Sequence, residues 1–189
     1  QVDSYPLDAR ARLQLSYAYR TAGDGAKVLQ EIKNAIVLSP RKESFWIEAG
    51  SVEWDMGNVE AAQKDFNTAY ALGPQFTDLA IYAAAGNFAV GDTATADKVL
   101  QSVFGTTNVD SDILAVAYYR AKNWPRLIAL WKVRAAAPDA GVEKWFSLAA
   151  AYYAAGDTVN AAATIRAALA KFPEAASAGA DALKQIEGK

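Results

Sequence analysis

Glycine recurs at a fixed spacing along this chain, and that spacing constrains the fold more than any other feature. Gly23, Gly57 and Gly91 are evenly spaced, with a period of about 34 residues. Gly156 follows Lys122 at the same interval, whereas the interval from Gly91 to Lys122 is three residues shorter. A period of this length with a glycine at a helix–helix turn is typical of an array of helix pairs. The residue after each of these five positions is a good helix N-cap: Asp24, Asn58, Asp92, Asn123 and Asp157.

Proline and glycine also divide the chain into segments of helical length, because proline cannot continue a helix and disfavours helical backbone in the residue before it. The pairs end at Ser39-Pro40, Gly73-Pro74, Gly105, Pro138-Asp139 and Phe172-Pro173. The first helices are expected near 9–22, 43–56, 76–90, 110–122 and 142–155. The second helices are expected near 25–38, 59–72, 93–104, 125–137 and 158–171.

These segments predict an all-α fold. We expect an α-solenoid of five antiparallel helix pairs plus a C-terminal capping helix, in a single domain over residues 1–189. Residues 1–9, with Pro6 near the first helix, form a lead-in. The repeats cover about 9–42, 43–76, 77–107, 108–141 and 142–173, and the cap covers 174–187.

Side-chain size alternates at corresponding positions of the repeats, as interdigitated packing requires. The eighth position is always small, and the twenty-fourth is always large. The eighth position holds Ser16, Gly50, Ala84, Ala115 and Ala149. The twenty-fourth position holds Ile32, Phe66, Leu100, Trp131 and Ile165. The twentieth position, which is mostly small, holds Val28, Ala62, Ala96, Leu127 and Ala161.

Over about residues 9–173 the chain resembles the tetratricopeptide repeat family, most closely in repeats two and five. In repeat two the matching residues are Trp46, Gly50, Gly57, Ala62, Phe66, Ala69 and Pro74. In repeat five they are Trp145, Leu148, Ala149, Tyr152, Gly156, Ala161, Ala168 and Pro173. The resemblance implies a right-handed superhelix whose first helices line a concave surface that binds a peptide or protein.

Carried over position by position, the resemblance implies an apolar and aromatic groove. Its candidate residues are Leu13, Tyr17, Arg20, Ile47, Trp54, Ile81, Phe88, Tyr119, Phe146 and Tyr153. Exposed apolar patches mark interaction sites, and aromatic residues beside arginine are often their energetic centres. The alternative is that this stripe packs in the core. The family's clamp for a terminal carboxylate is not expected here, because Tyr17, Ser51 and Ala85 stand at its asparagine positions.

Repeat four departs from the family pattern. It starts three residues early, so either its first helix is short or the loop before it is tight. Arg134 stands where a small residue is expected, and Glu53 and Asn87 stand where repeats one, four and five have tyrosine. These departures predict an irregular superhelical twist between repeats three and four, or reflect simple repeat decay.

Composition argues against catalysis by this chain. It contains neither cysteine nor histidine, which removes thiolate nucleophiles, ordinary zinc sites and imidazole acid–base chemistry. We predict no enzyme activity, cofactor or metal, and expect Asp110-Ser111-Asp112 to cap a helix. The net charge is −2, and lysine and arginine are scattered along the sequence instead of forming a basic face. This distribution argues against nucleic-acid binding. No apolar run reaches the roughly 20 residues of a membrane span.

The leading functional hypothesis is a non-catalytic scaffold that binds a protein or peptide. The alternative is an accessory domain of a bacterial, membrane-embedded O-antigen ligase-like protein, which some stretches resemble. These are 5–10 (Tyr-Pro-Leu-Asp-Ala-Arg), 127–131 with Pro138-Asp139, and 145–149. Because the chain begins at Gln1 and its only methionine is Met56, we expect a piece of a longer protein. Such a piece could be tethered to a membrane. Self-association and the compartment stay open.

Overall fold

The computed structural model describes residues 8–188, and these residues form eleven α-helices without strands. The predicted lead-in with Pro6, and the 5–10 motif up to Leu7, lie outside the described residues. The predicted helix bounds are confirmed to within two residues, and the cap is preceded by a 3-10 turn at Pro173–Ala175. The helices are α1 (Ala9–Thr21), α2 (Gly25–Leu38), α3 (Glu43–Asp55), α4 (Val59–Leu72), α5 (Thr77–Ala89), α6 (Thr93–Phe104), α7 (Asp112–Arg120), α8 (Trp124–Ala136), α9 (Val142–Ala154), α10 (Thr158–Lys171) and α11 (Ala176–Glu187).

The chain divides into two compact units, Gln1–Ala117 and Tyr118–Lys189. In the first unit each helix from α1 to α5 packs on the next one along the chain. In the second unit α8 packs on α9, α9 on α10, and α10 on α11. This serial packing of consecutive helices confirms the predicted all-α repeat architecture. The handedness of the array and its organisation as a single domain stay predictions.

The residues of the glycine series adopt the left-handed backbone that the turns require. Gly23, Gly57, Gly91 and Gly156 have φ between 75° and 84°. Lys122 takes the same turn with φ 53°, and it is the one non-glycine residue in the described part of the chain with positive φ. The N-caps follow as predicted, although only the three aspartates accept a hydrogen bond from a backbone N–H with their side chain.

The small eighth position allows the two helices of a pair to approach closely. A Cβ on Gly50 of α3 would lie 2.5 Å from Cε1 of Phe66 and 3.2 Å from the backbone oxygen of Ala62, both on α4. Phe66 also contacts the rings of Trp54 and Tyr82, with centroids 5.7 and 5.2 Å away. The glycine thus makes room for a buried aromatic group that joins three successive helices.

The capping helix closes the second unit through a similar contact. Gly179 is the buried residue of α11, and a Cβ there would lie 2.5 Å from Cδ2 of Leu169 on α10. The rest of α11 is exposed or half-buried and largely polar on its outer side. This amphipathic pattern suits a terminal helix that has a neighbour on one face only.

Two polar side chains are buried at the eleventh position of repeats two and three, where other repeats have tyrosine. Glu53 is 5% exposed and accepts hydrogen bonds from Lys33 Nζ at 2.8 Å and Asn58 Nδ2 at 2.7 Å. Asn87 is 1% exposed and bonds to Gln63, Asn67 and the Ala83 carbonyl. Both groups are satisfied, as buried polar groups must be.

The first helix of repeat four is short, which confirms one of the two alternatives for the three-residue deletion. α7 has nine residues, whereas the other first helices have 13. The tight-loop alternative is wrong, because residues 105–111 form a longer connection that starts with the left-handed Gly105. Ser111 caps α7 by accepting a hydrogen bond from the Leu114 N–H at 3.4 Å.

Candidate functional site

The predicted groove residues lie on the first helices of the pairs, and most of them are accessible. In the first unit Tyr17 and Arg20 are exposed, and Leu13, Ile47 and Ile81 are half-buried. In the second unit Tyr119 is 59% exposed and stacks edge-on against Trp124 at 5.7 Å. Tyr153 is also exposed, and Phe146 is half-buried.

Trp54 and Phe88 require a correction, because both are buried. Trp54 is 8% exposed and Phe88 is 1% exposed, so neither offers its ring to a partner. Trp54 packs against Phe66 on the second helix of its own pair. The core alternative therefore holds at these two positions. The twelfth position of the repeats, which holds Arg20, Trp54, Phe88, Tyr119 and Tyr153, is thus not exposed throughout.

A recess of about 260 Å³ lies in the first unit, between the α1–α2 turn and the C-terminal end of α3. We call it the α1–α3 recess; its lining residues are Arg20, Gly23, Gly25, Val28, Val52, Asp55 and Met56. Its apolar surface comes from Val28, Val52 and Met56, and its charges come from Arg20 and Asp55. Cavities for drug-sized ligands measure about 300–1,000 Å³. This recess therefore suits one amino-acid side chain better than a cofactor.

Arg20 is held at the rim of the recess by its neighbours on α1 and α3. Its Nη2 donates to Glu48 Oε2 at 2.8 Å, and its guanidinium lies 5.9 Å from the centre of the Tyr17 ring. Glu48 also acts on Tyr82 of α5: burial, with Glu48 and Asp78 nearby, raises the pKa of the Tyr82 hydroxyl. The Arg20–Glu48 pair thus joins α1 to α3 at the rim of the recess.

The sequence predicts one of the lining residues, Arg20, as part of the groove. Gly23 is predicted only as a turn residue, and Asp55 is not among the groove candidates. Val28 was assigned to the core only, and Gly25, Val52 and Met56 were not singled out. The sequence signal that could have revealed the recess is Gly25. A glycine at the first position of α2 leaves space opposite Met56, at the end of α3.

Three charged side chains interact across α2, α3 and α4: Lys33, which is exposed, Glu53, which is buried, and Asp65. Burial alone would raise the pKa of Glu53, but hydrogen bonds from Lys33 and Asn58 outweigh it and hold that pKa below its usual value. Asp65 on α4 is half-buried. Burial raises the pKa of the Asp65 carboxyl to about 6; Lys33 opposes the rise and the Glu53 carboxylate adds to it.

Replacing Asp65 by asparagine should raise the melting temperature at pH 7.5. A carboxyl whose folded pKa of about 6 lies above its unfolded value of about 3.9 binds its proton more tightly when folded. Its ionisation therefore destabilises the fold progressively between about pH 4 and 6 and fully above that range. Thermal unfolding from pH 4 to 8 should show a gain that vanishes at pH 4. Asp181→Asn, on the exposed face of α11, is the control; a gain independent of pH would contradict the assignment.

The described residues were also compared with the requirements of a metal site and of a membrane-spanning helix. Within residues 8–188, no three acidic side chains come together where they could hold a metal ion. No helix in that range combines the length and the apolar character needed to cross a bilayer.

Solved structures share this fold at low sequence identity. A tetratricopeptide repeat protein from Parabacteroides merdae superposes with a TM-score of 0.69 at 14% identity, covering 89% of this chain and 67% of its own. MamA has a TM-score of 0.63 at 17% identity, covering 89% of this chain and 94% of its own. YrrB, described as a TPR protein with an unusual peptide-binding site, has a TM-score of 0.58 at 12% identity, covering 91% and 90%.

No protein-family model matches the sequence, and neither does any curated protein sequence. At such low identities the structural likeness establishes the fold alone. The repeat architecture predicted from the glycine spacing is therefore confirmed as the tetratricopeptide repeat fold.

Proposed function

We propose that this chain, which has the fold of tetratricopeptide repeat proteins, is a non-catalytic scaffold that binds a peptide segment of a partner protein across α1 and α3. The α1–α3 recess carries the proposal. An apolar side chain of the partner would enter it and cover Met56, which is 47% exposed, above a floor formed by the buried Val28 and Val52. Tyr17 and Arg20, exposed at its edge, would contact the backbone or neighbouring side chains of the bound segment.

The chemistry of the recess supports a peptide more than a small molecule. Interfaces concentrate their binding energy in aromatic and arginine anchors around a desolvated pocket. Tyr17 and Arg20 provide such anchors, and the exposed Arg20–Glu48 ion pair modestly favours one orientation of the arginine before binding. Preorganisation of this kind lowers the entropy lost when a partner is captured. YrrB, which shares the fold, is described as having a peptide-binding site of its own.

Filling the recess should weaken peptide binding at least tenfold without harming the fold. Gly25 has no positive φ, and a Cβ placed there would meet only Met56 atoms at an ordinary 3.9 Å. Gly25→Leu therefore extends into the recess, and it also replaces a poor helix former. For a peptide selected from a displayed library on the wild-type chain, we expect binding at least tenfold weaker by fluorescence anisotropy. The melting temperature should stay unchanged or rise.

Thr158 provides the matched control, since it occupies the corresponding first position of α10 and is exposed. Thr158→Leu should bind the peptide as the wild type does. The proposal fails if Gly25→Leu binds the selected peptide with wild-type affinity, or if Thr158→Leu loses as much.

Two other hypotheses stay predictions with their own tests. The ligase-like context predicts several apolar segments of about 20 residues elsewhere in the parent chain, which hydropathy of the full gene product would reveal. Self-association predicts a mass above that of one chain in light scattering at high concentration. Neither is needed for the recess to bind a peptide.

A further inference from the structure

The second unit carries basic side chains packed on aromatic rings along the contact between α8 and α9. The Arg134 guanidinium lies 4.7 Å from the centre of the Trp131 ring, and Lys144 Nζ lies 5.9 Å from the same ring. Lys132 Nζ lies 5.6 Å from the Tyr152 ring. These three cations and two rings are called the cationic seam. A cation over an aromatic face is attracted by the ring quadrupole, which holds it in place.

Arg134 makes this seam unlike the corresponding surfaces of the other repeats. It occupies the twenty-seventh position of repeat four, where repeats one, two and five have Ala35, Ala69 and Ala168. All three alanines are fully buried. A large cation has thus replaced a core methyl group, and it lies half-buried on Trp131 instead. The next residue outward, Val133, is 70% exposed, which leaves an apolar group beside the charges.

The lysines of the seam lack a negative partner within the described part of the chain. Among residues 8–188, neither Lys132 nor Lys144 forms an ion pair. Glu143 precedes Lys144, but its carboxylate lies over Gly141. The surrounding sequence adds to the imbalance: residues 118–189 contain ten Lys and Arg against six Asp and Glu, although the whole chain has a net charge of −2. The C-terminal end of α8 favours cations, but it supplies only about half a negative charge.

We propose that the cationic seam is a second binding surface, separate from the α1–α3 recess, and that it takes an acidic polypeptide segment. Carboxylates of the partner would pair with the two lysines of the seam, Lys132 and Lys144, while an apolar residue beside them would cover Val133. Charge complementarity identifies the partner class. A single-stranded nucleic acid fits less well, because bases need open ring faces for stacking and these faces are already covered by cations.

Binding of a fluorescein-labelled decaglutamate peptide to the full chain at low salt tests the assignment. The charge-reversed Lys132→Glu/Lys144→Glu variant should bind at least tenfold more weakly than the wild type. Lys122→Glu/Lys184→Glu is the matched control, because it changes the net charge equally at two lysines outside the seam. It should bind within about twofold of the wild type, and Lys132→Arg/Lys144→Arg should bind fully. Thermal unfolding checks each fold, and Lys132→Gln/Lys144→Gln replaces the reversal variant if that variant is unfolded.

Three outcomes would overturn the proposal. Equal weakening in the seam and control variants would mean that only overall charge acts. Absence of decaglutamate binding by the wild type would show that the seam does not bind acidic polypeptides. Tighter binding of a ten-residue oligothymidylate would assign the surface to nucleic acid. Retained binding by the Gly25→Leu chain would show that the seam works independently of the recess.

Discussion

Replacing Phe66 by alanine should lower the free energy of unfolding by about 3–5 kcal/mol, the largest effect expected from a single substitution in this chain. Phe66 is 2% exposed and contacts helices on both sides of α4. Truncation leaves a cavity against Gly50, Trp54 and Tyr82, and Gly50 has no side chain that could refill it. Urea unfolding followed by circular dichroism would measure the loss.

Phe76→Ala is the matched control, since it removes the same side chain from a position that is 50% exposed at the N-cap of α5. Its loss should be smaller by at least about 2 kcal/mol, because cavity costs arise only where the surroundings are packed. Similar losses for the two phenylalanines would mean that α3, α4 and α5 do not meet at Phe66 as described.

Asn87→Leu should cost about 1–3 kcal/mol of stability although leucine has a similar size. The substitution leaves the amides of Gln63 and Asn67 and the Ala83 carbonyl without the bonds that Asn87 makes at 2.8–2.9 Å. An unsatisfied buried polar group costs its full desolvation energy, whereas replacing both partners by apolar groups can be nearly neutral. Urea unfolding of Asn87→Leu measures the first effect.

A double-mutant cycle with Asn67→Leu distinguishes the hydrogen-bond network from mere packing. The double variant should be more stable than the sum of the two single losses implies, with a coupling energy of about 0.5–3 kcal/mol. Strict additivity would contradict the bond network between α4 and α5.

The glycine spacing was sufficient to predict the architecture because each turn imposes a backbone conformation that few residues adopt. Even Lys122, which breaks the glycine series, keeps the positive φ of its position. The packing positions could also be predicted from the sequence, because a small residue at position 50 leaves room for the large side chain of Phe66. Helix bounds followed because N-caps and prolines mark them locally.

The candidate site was less predictable, because exposure depends on which neighbouring helix covers a residue. Trp54 and Phe88 occupy the same position of their repeats as the exposed Tyr119 and Tyr153. Both are nevertheless buried. Trp54 is covered by Phe66, a contact that the register of its own helix does not encode. The buried bonds of Glu53 and Asn87 also depend on other helices, so the sequence marked these residues as departures without indicating their partners.

The central claim, that a peptide binds at the α1–α3 recess, is tested most directly by NMR. Backbone amide shifts of the wild-type chain would be followed during titration with a library-selected peptide. We predict that the largest changes fall on Tyr17, Arg20, Gly25, Val52 and Met56, and that they disappear in Gly25→Leu. Changes centred elsewhere in the chain, or a titration that is the same in Gly25→Leu, would contradict it.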